Sequence, residues 1–349
     1  MSNYDQFAAA VKEISGGKNI VLLDDLGLPS VYVPINKLKN SEIISGGSEN
    51  THPAFSVDGV EKSRFLYSKY QNIVINGRAY SLSHRDPKTY VNFDQARQAC
   101  EAKGAGFHLG TLAEWAAVAL LTRKMGTMPH GNNNYGGDSA YTYEKGQESA
   151  KDNNKTGRTF TGSGPATWGH DHTQFGIQDM NGNVWEWLGG MRLNEGEIQI
   201  IPYNNAALGS ECDMSTSSTL WKAIKNDGSL VAPGTAATLK YDFVSGNIQL
   251  TTGITSAQDA GRGGSYTAMT LASGVTAPEL AKALILYPDE PGKDYGGDYH
   301  WMNNSGERLP IAGGYWSDGA LAGVFGLYLS HARSSSGGGV GFRSAYVEL

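Results

Sequence analysis

Residues 308–349 hold the side chains whose types and spacing bear most directly on chemistry, and the chemistry they suit is recognition. From Val324 to Ser330 the pattern alternates strictly. Phe325, Leu327 and Leu329 point to one face of a strand and Gly326, Tyr328 and Ser330 to the other, because successive side chains of a strand face opposite ways. Tyr315, Ser317 and Asp318 around Trp316, and the small-residue run from Ser334 to Gly339, add two chemically mixed patches. An apolar frame presenting such residues suits binding better than catalysis. Catalytic groupings are thin by comparison. No Ser, Cys or carboxylate is spaced to form a triad with His331. Cys100 and Cys212 are far apart and neither belongs to a CxxC pair, so neither a disulfide framework nor a thiol pair for zinc or redox work is expected.

The elements that must position this segment are short. The chain has 349 residues, 40% hydrophobic and 18% charged, and its 46 glycines point to short strands and many turns. Length alone allows about two domains. A net charge of −6 lacks the basic footprint that phosphate binding needs, which argues against nucleic acid as a partner. No apolar run reaches the roughly 18 residues of a membrane span. Residues 1–17 lack the basic and apolar regions of a secretory signal.

An amphipathic helix is expected over residues 3–15, capped by Asn3, with Phe7, Val11 and Ile14 as its stripe. Strands follow at 20–23 and 31–33, the second limited by Pro29 and Pro34. Residues 1–48 read as a small α/β segment for docking or oligomerisation, too short for a substantial core of its own. Residues 49–349 read as the main domain. Strands are expected there at 65–67 and 73–75, with an Asn76–Gly77 turn into 79–82. Two helices with capping boxes follow: Asn92 with Gln95 opens 93–103, which carries Cys100 on its apolar side, and Thr111 with Glu114 opens 112–124. Residues 130–161 read as polar surface loop. Residues 192–300 read as an elaborated insertion with hairpins near Asp227–Gly228 and 245–247 and a short helix at 278–284.

Three segments in order carry a family resemblance: 108–115 (HLGTLAEW), 175–187 (FGIQDMNGNVWEW), and 312–316 (AGGYW) leading to Gly341-Phe342-Arg343. Together they resemble the formylglycine-generating-enzyme branch of the C-type lectin fold, over about residues 50–190 and 300–346. The resemblance implies an α+β, C-type lectin-like fold with short strands, two helices, long loops and the large insertion. Residues 308–345 are also similar to the variable regions of proteins diversified by retroelements, whose frame reads approximately GGxWxxGxxAGVFxLxLxxARSxSxxxxGFR. Diversified codons of the NNC form exclude Lys, Glu, Gln, Trp and Met. The open positions of the frame are here Tyr315, Ser317, Asp318, Leu321, Gly326, Tyr328, Ser330, His331, Ser334, Ser336, Gly337, Gly338 and Gly339, and every one has an NNC codon. These are the expected ligand contacts, with Tyr315 and Tyr328 as exposed aromatic ones. Trp316, Phe325, Leu327, Leu329, Arg333, Phe342 and Arg343 belong to the scaffold, Trp316 as a core pillar and the arginines as pins.

The resemblance also says which cofactors to look for. Formylglycine-generating enzymes hold copper with a cysteine pair before the final GFR, and thiolates suit Cu(I). Phe325 and Ser330 stand near those places, so the oxidase chemistry is not expected to carry over. Related sulfoxide synthases hold iron with three histidines, and His130, His170 and His172 lack a supporting spacing. The resemblance implies calcium on the Asp179–Glu186 stretch, with a carboxylate from Glu186 and main-chain oxygens from Asp179, Gly182 and Val184. An Asn181–Gly182 turn, with Trp185 and Trp187 as core pillars, accounts for the same residues without metal. No other cofactor is required. The expectation is a non-enzymatic phage tail-tip adhesin, functionally analogous to phage tropism determinants. It would sit in the virion, assemble as a trimer, and bind a host cell-surface protein or glycan through a diversified face, with no membrane insertion. The rivals are an oxidase of the formylglycine-generating type and a glycan lectin of fixed specificity.

Overall fold

Strand Ser344–Tyr346 is zipped between Arg64–Ser68 and Phe107–Leu109, antiparallel to both. Pro29–Asn36 pairs with the other edge of Arg64–Ser68, and Ile20–Leu23 pairs with Pro29–Asn36. A computed structural model describes residues 3–349, and among them these five strands form one sheet. The N-terminal segment therefore docks on the body by strand addition.

Two N-terminal expectations need correction. Pro34 lies within a strand rather than ending one. Lys37 N–H donates to Ser63 O, so by alternation the nitrogen of Pro34 faces away from Arg64–Ser68, on the side where Ile20–Leu23 has ended. Proline is tolerated where no ladder partner is waiting. The first helix spans Asn3–Ile14, so Asn3 is inside it rather than its cap, and the helix buries none of its residues. Phe7 and Ile14 of the stripe are exposed.

A second, larger sheet carries the C-terminal segment. Strand Gly323–His331 lies inside it, parallel to Tyr299–Met302 and antiparallel to Glu307–Gly313. The sheet continues through Met191–Asn194 and Glu197–Ile200 to Lys240–Val244, Asn247–Thr251 and Thr270–Leu271, and on the other side to Arg262–Ser265. Trp185–Trp187 joins Glu307–Gly313 to Val340–Phe342. Residues 192–300 are thus woven into the principal sheet, and Ile198, Ile200, Leu239, Tyr241 and Leu250 enter the main core. The expected hairpins form, through Gly228 and through Ser245–Gly246, and a helix spans Glu279–Ala283.

Both capping boxes form, opening Phe93–Glu101 and Leu112–Met125. The second helix is buried on nearly every side, and Trp115 Nε1–H donates to Val324 O at 2.7 Å, tying it to the start of the C-terminal strand. Residues 130–161 are not simply a surface loop. Asn132, Asn133, Asp138, Glu144, Thr159 and Thr161 are buried. Their polarity is spent on the loop's own backbone and on its neighbours: Asp138 accepts from the N–H groups of Gly131, Ala140 and Tyr141, Asn132 Nδ2 donates to Gly157 O, Asn133 Nδ2 donates to Asn181 Oδ1, and Thr161 Oγ1 donates to Leu82 O.

Candidate ligand-binding face

Alternation in Gly323–His331 works as the residue types require. Phe325, Leu327 and Leu329 are sealed in the main core, while Tyr328, Ser330 and His331 lie half-buried. The neighbouring strand alternates in phase, with His300 beside Leu327 and Trp301 beside Tyr328. Gly326 departs from the expectation of an open contact. It is buried at a bulge, where the register with Glu307–Gly313 jumps from Leu327 to Gly323, and an added Cβ would sit 3.0 Å from Gly323 O. Gly326 is scaffold.

The exposed face of the strand is not bare. Tyr328 packs against a second core cluster that contains Trp185, Trp187, Leu309, Ile311 and Phe342. Its ring lies 5.1 Å from Trp301, 5.7 Å from Trp185 and 4.8 Å from His331, and Tyr299 lies 4.6 Å from Trp301. Trp301 and Tyr299 were missed in the sequence. The alternation of Tyr299–Met302, with His300 and Met302 buried, is the signal that marks them. Ser330 Oγ and His331 Nδ1 are shut from solvent without a partner. A methyl group at Gly261 would sit 3.4 Å from Ser330 Oγ, so the 256–261 loop covers this end, held there by Asp259 accepting from Arg308 and Asn303. Burial pushes His331 down to about 4.

Two loops complete the face. Tyr315 and Ser317 are half-buried, Leu321 is 40% exposed, and Ser334 and Ser336 are exposed. Trp316 is buried, donating to Asp152 Oδ2. Burial pushes the Asp318 carboxyl up to about 7, against hydrogen bonds from Tyr315 N–H and the Trp185 indole that pull it down. The 337–339 loop is pinned at three points: Gly337 O accepts from Tyr90 N–H, Gly338 O from Arg158, and Gly339 O from Trp185 N–H. Gly337 is open, but Gly338 and Gly339 lie under Tyr90 and Tyr315. Tyr315 and Tyr328, expected as exposed contacts, are therefore half-buried because each roofs a part of the frame. Arg333 bridges Glu307, Asp94 and Met214 O. Buried Arg343 makes a two-pronged pair with Glu186 at 2.7 and 2.9 Å and donates to Lys69 O. Phe342 is buried beside it.

A cavity of about 270 Å³ adjoins the face at Ala322, Gly323 and Val324, and His130 and Asp298 also line it. Burial holds the Asp298 carboxyl well above the usual range, and its Oδ2 accepts from Phe325 N–H. His130 and His172 pack edge to face with ring centroids 5.3 Å apart, but the ring nitrogens of the three loop histidines are turned to other partners. His130 Nδ1 faces Glu144, His172 Nε2 faces Met128 O, and His170 Nδ1 accepts from Ile177 N–H. Among the described residues no group of three or more His, Cys, Asp or Glu side chains could hold a metal ion. Cys100 and Cys212 are buried with thiols pushed up, Cys212 to about 11, which keeps both protonated.

The stretch expected to bind calcium is organised around an amide. Gln71 Nε2 lies 3.2 Å from Asp179 O, 3.1 Å from Val184 O and 3.0 Å from Glu186 Oε1. Glu186 is also spent on Arg343 through both oxygens. Gly182 N–H donates to Gly313 O, and Asp179 Oδ1 is buried without a partner, its carboxyl pushed up to about 6 by burial. As placed, this donor set does not fit calcium, because an N–H donor points where a cation's oxygens converge.

The sequence profile of the sulfatase-modifying factor enzyme 1-like domain matches residues 39–269. That span corrects the expected coverage: it runs through most of 192–300, which is woven into the sheet, and stops short of 308–345. No curated protein matches the sequence. Among solved structures, the chain is similar to Treponema denticola variable protein 1 at 12% identity, with 94% of this chain and 98% of that chain covered and a TM-score of 0.34. It is similar to PvdO from Pseudomonas aeruginosa at 13% identity, with 93% and 97% covered and a TM-score of 0.38. It is similar to the Major Tropism Determinant P3c variant at 10% identity, with 94% and 71% covered and a TM-score of 0.31. With more than half of its length matched by that profile, this α+β chain belongs to the family of the sulfatase-modifying factor enzyme 1-like domain.

Proposed function

We propose that this chain is a ligand-binding protein and not an oxidase, with residues 315–339 as a recognition face that a retroelement diversifies. The carrying observation is the split within one strand: Phe325, Leu327 and Leu329 are sealed, while Tyr328 and Ser330 sit on the opposite side beside pinned loops. A frame held by Arg333, Arg343 and Trp316 limits the ordering cost on binding, and the exchangeable side chains decide which partner fits. The two protonated, buried thiols support a non-oxidase role. The setting we infer is a phage tail-tip adhesin, trimeric for avidity, with a host cell-surface protein or glycan as ligand.

The test exchanges Leu321, Ser334 and Ser336 together for other NNC-encoded residues in the full chain. Cooperative unfolding is expected to persist within about 0.5 kcal/mol per site, while adhesion to host cells changes. Unchanged adhesion with all three exchanged would overturn the reading. A near-copy of the codons for 308–345, differing at adenines and lying beside a reverse transcriptase gene, is expected in the source genome. Fixed codons with no such copy would favour a lectin of constant specificity. Light scattering that finds only monomer at every concentration would remove the trimer.

A further inference from the structure

We propose that this chain holds the 179–186 loop without a divalent cation, and that the side-chain amide of Gln71 stands in the cation's place. The family resemblance implies oxygen ligands from Asp179, Gly182, Val184 and Glu186, and three of them, all but Gly182, share one partner. All three converge here on one nitrogen, Gln71 Nε2, at 3.0–3.2 Å. An amide N–H₂ carries two protons and no usable lone pair, so it serves these oxygens, one proton shared between two of them, and repels a cation.

The orientation of that amide is dictated by the network around it. Thr159 N–H donates to Asn183 Oδ1 at 2.8 Å, and a backbone N–H cannot reverse its role. That fixes Asn183, whose Nδ2 donates to Thr159 O at 3.2 Å and to Gln71 Oε1 at 2.8 Å. Gln71 Oε1 must then face Asn183, and Nε2 must face the three oxygens. Turning Gln71 over would set nitrogen against nitrogen at Asn183 and oxygen against three oxygens at the loop. Only a cation would relieve the second clash, and nothing would relieve the first.

The charge of Glu186 is balanced without metal as well. Arg343 meets both oxygens of Glu186 and is wholly buried with it, so the carboxylate already has a full counter-charge. Arg343 donates further to Ser68 O and Lys69 O, which ties the loop to the strand that precedes Gln71. Asp179 Oδ1, unpartnered, is the one oxygen here that a cation would serve, and the test is chosen to find it if it does.

The full chain is dialysed against EDTA, and its melting temperature and metal content are read before and after calcium is added to millimolar excess. The expected result is a change under about 1 °C and well under one calcium per chain. A rise of several degrees, as saturation of a micromolar site would give, with about one calcium per chain, overturns the proposal. Gln71→Met keeps the length and removes the donors, so its melting temperature should fall in EDTA and stay low in calcium. A Gln71→Met protein that melts like the wild type overturns the assigned role. Gln71→Glu puts an oxygen in the same place, and it should melt low in EDTA and recover with calcium. A folded Gln71→Glu chain indifferent to calcium shows that the position is not the cation's and also overturns it. Metal content reads the proposal without any binding activity, so its failure is separate from failure of the adhesin reading.

Discussion

Trp301 and Tyr328 are opposite residues of two parallel strands, with ring centroids 5.1 Å apart. The first comes from the strand Tyr299–Met302, at the end of the 192–300 stretch, and the second from the segment proposed to vary. A large aromatic of the neighbouring strand therefore lies beside one of the segment proposed to vary. Trp301→Ala should lower the unfolding free energy by about 2–3 kcal/mol, less than a fully buried tryptophan because it is half-buried. Tyr328→Ser should cost about 1 kcal/mol. Urea denaturation of the two single variants and the double variant checks this, and a coupling of about 0.5–1.5 kcal/mol is expected. Equal costs for the two would mean that Trp301 is not the support.

The two faces of Gly323–His331 should answer mutation differently. Leu327→Ala removes a side chain sealed in the main core and should cost about 2–5 kcal/mol. Leu321→Ser, at 40% exposure, should stay within about 0.5 kcal/mol. Thermal melts of both variants decide it, and a Leu321 variant as damaged as the Leu327 one would contradict the division.

Glycines of the face separate in the same way. Gly337 has nothing within 4 Å of an added Cβ, and Gly337→Ser should be neutral. Gly326→Ser would press against backbone at 3.0 Å and should cost about 1–3 kcal/mol. Gly339→Ser would meet the Tyr315 ring at 2.9 Å, so it should be tolerated only by turning Tyr315. Near-ultraviolet circular dichroism reads that turn.

Stability near neutral pH should depend on Asp318. Its carboxyl is raised from an ordinary 3.8 to about 7 by burial. The folded state therefore favours the neutral acid, and that contribution is complete below about pH 3.8 and lost as pH rises through 7. Asp318→Asn should gain on the wild type in melting temperature from pH 5 to pH 8. His331 acts oppositely. Held neutral with its pKa lowered to about 4, it withdraws stability as pH falls from 6.5 towards 4, in both proteins. A gap between the two proteins that is flat across pH 5–8 would contradict the assignment.

Local patterns were legible where a short-range rule decides the outcome. The capping boxes at Asn92 and Thr111, the Asn76–Gly77 turn and the alternation through Leu327 each depend on neighbours a few residues away. Trp301 and the 256–261 loop were not legible as parts of the face, because only strand pairing across the 192–300 stretch brings them there. The polar 130–161 loop misled for a related reason: its buried side chains are satisfied by backbone and by distant residues such as Asn181 and Trp168, so composition alone cannot tell a solvated loop from a buried one. Gly326 was misplaced because a bulge interrupts the two-residue period. Gln71 gave no signal at all, since its role comes from three oxygens more than a hundred positions away.

Ser344 meets Ser68 hydroxyl to hydroxyl across 276 positions. The strand that carries Ser344 follows directly on the exchangeable segment, and it locks into partners made early in synthesis. Such distant pairing is slow, and it waits on everything before it. A copy whose replaced residues stop Gly323–His331 from seating would leave that late seam unzipped, with strand edges open to proteases and chaperones. Under the diversification proposed above, the fold would screen its own repertoire: ill-fitting sequences would be discarded at closure, before any encounter with a target.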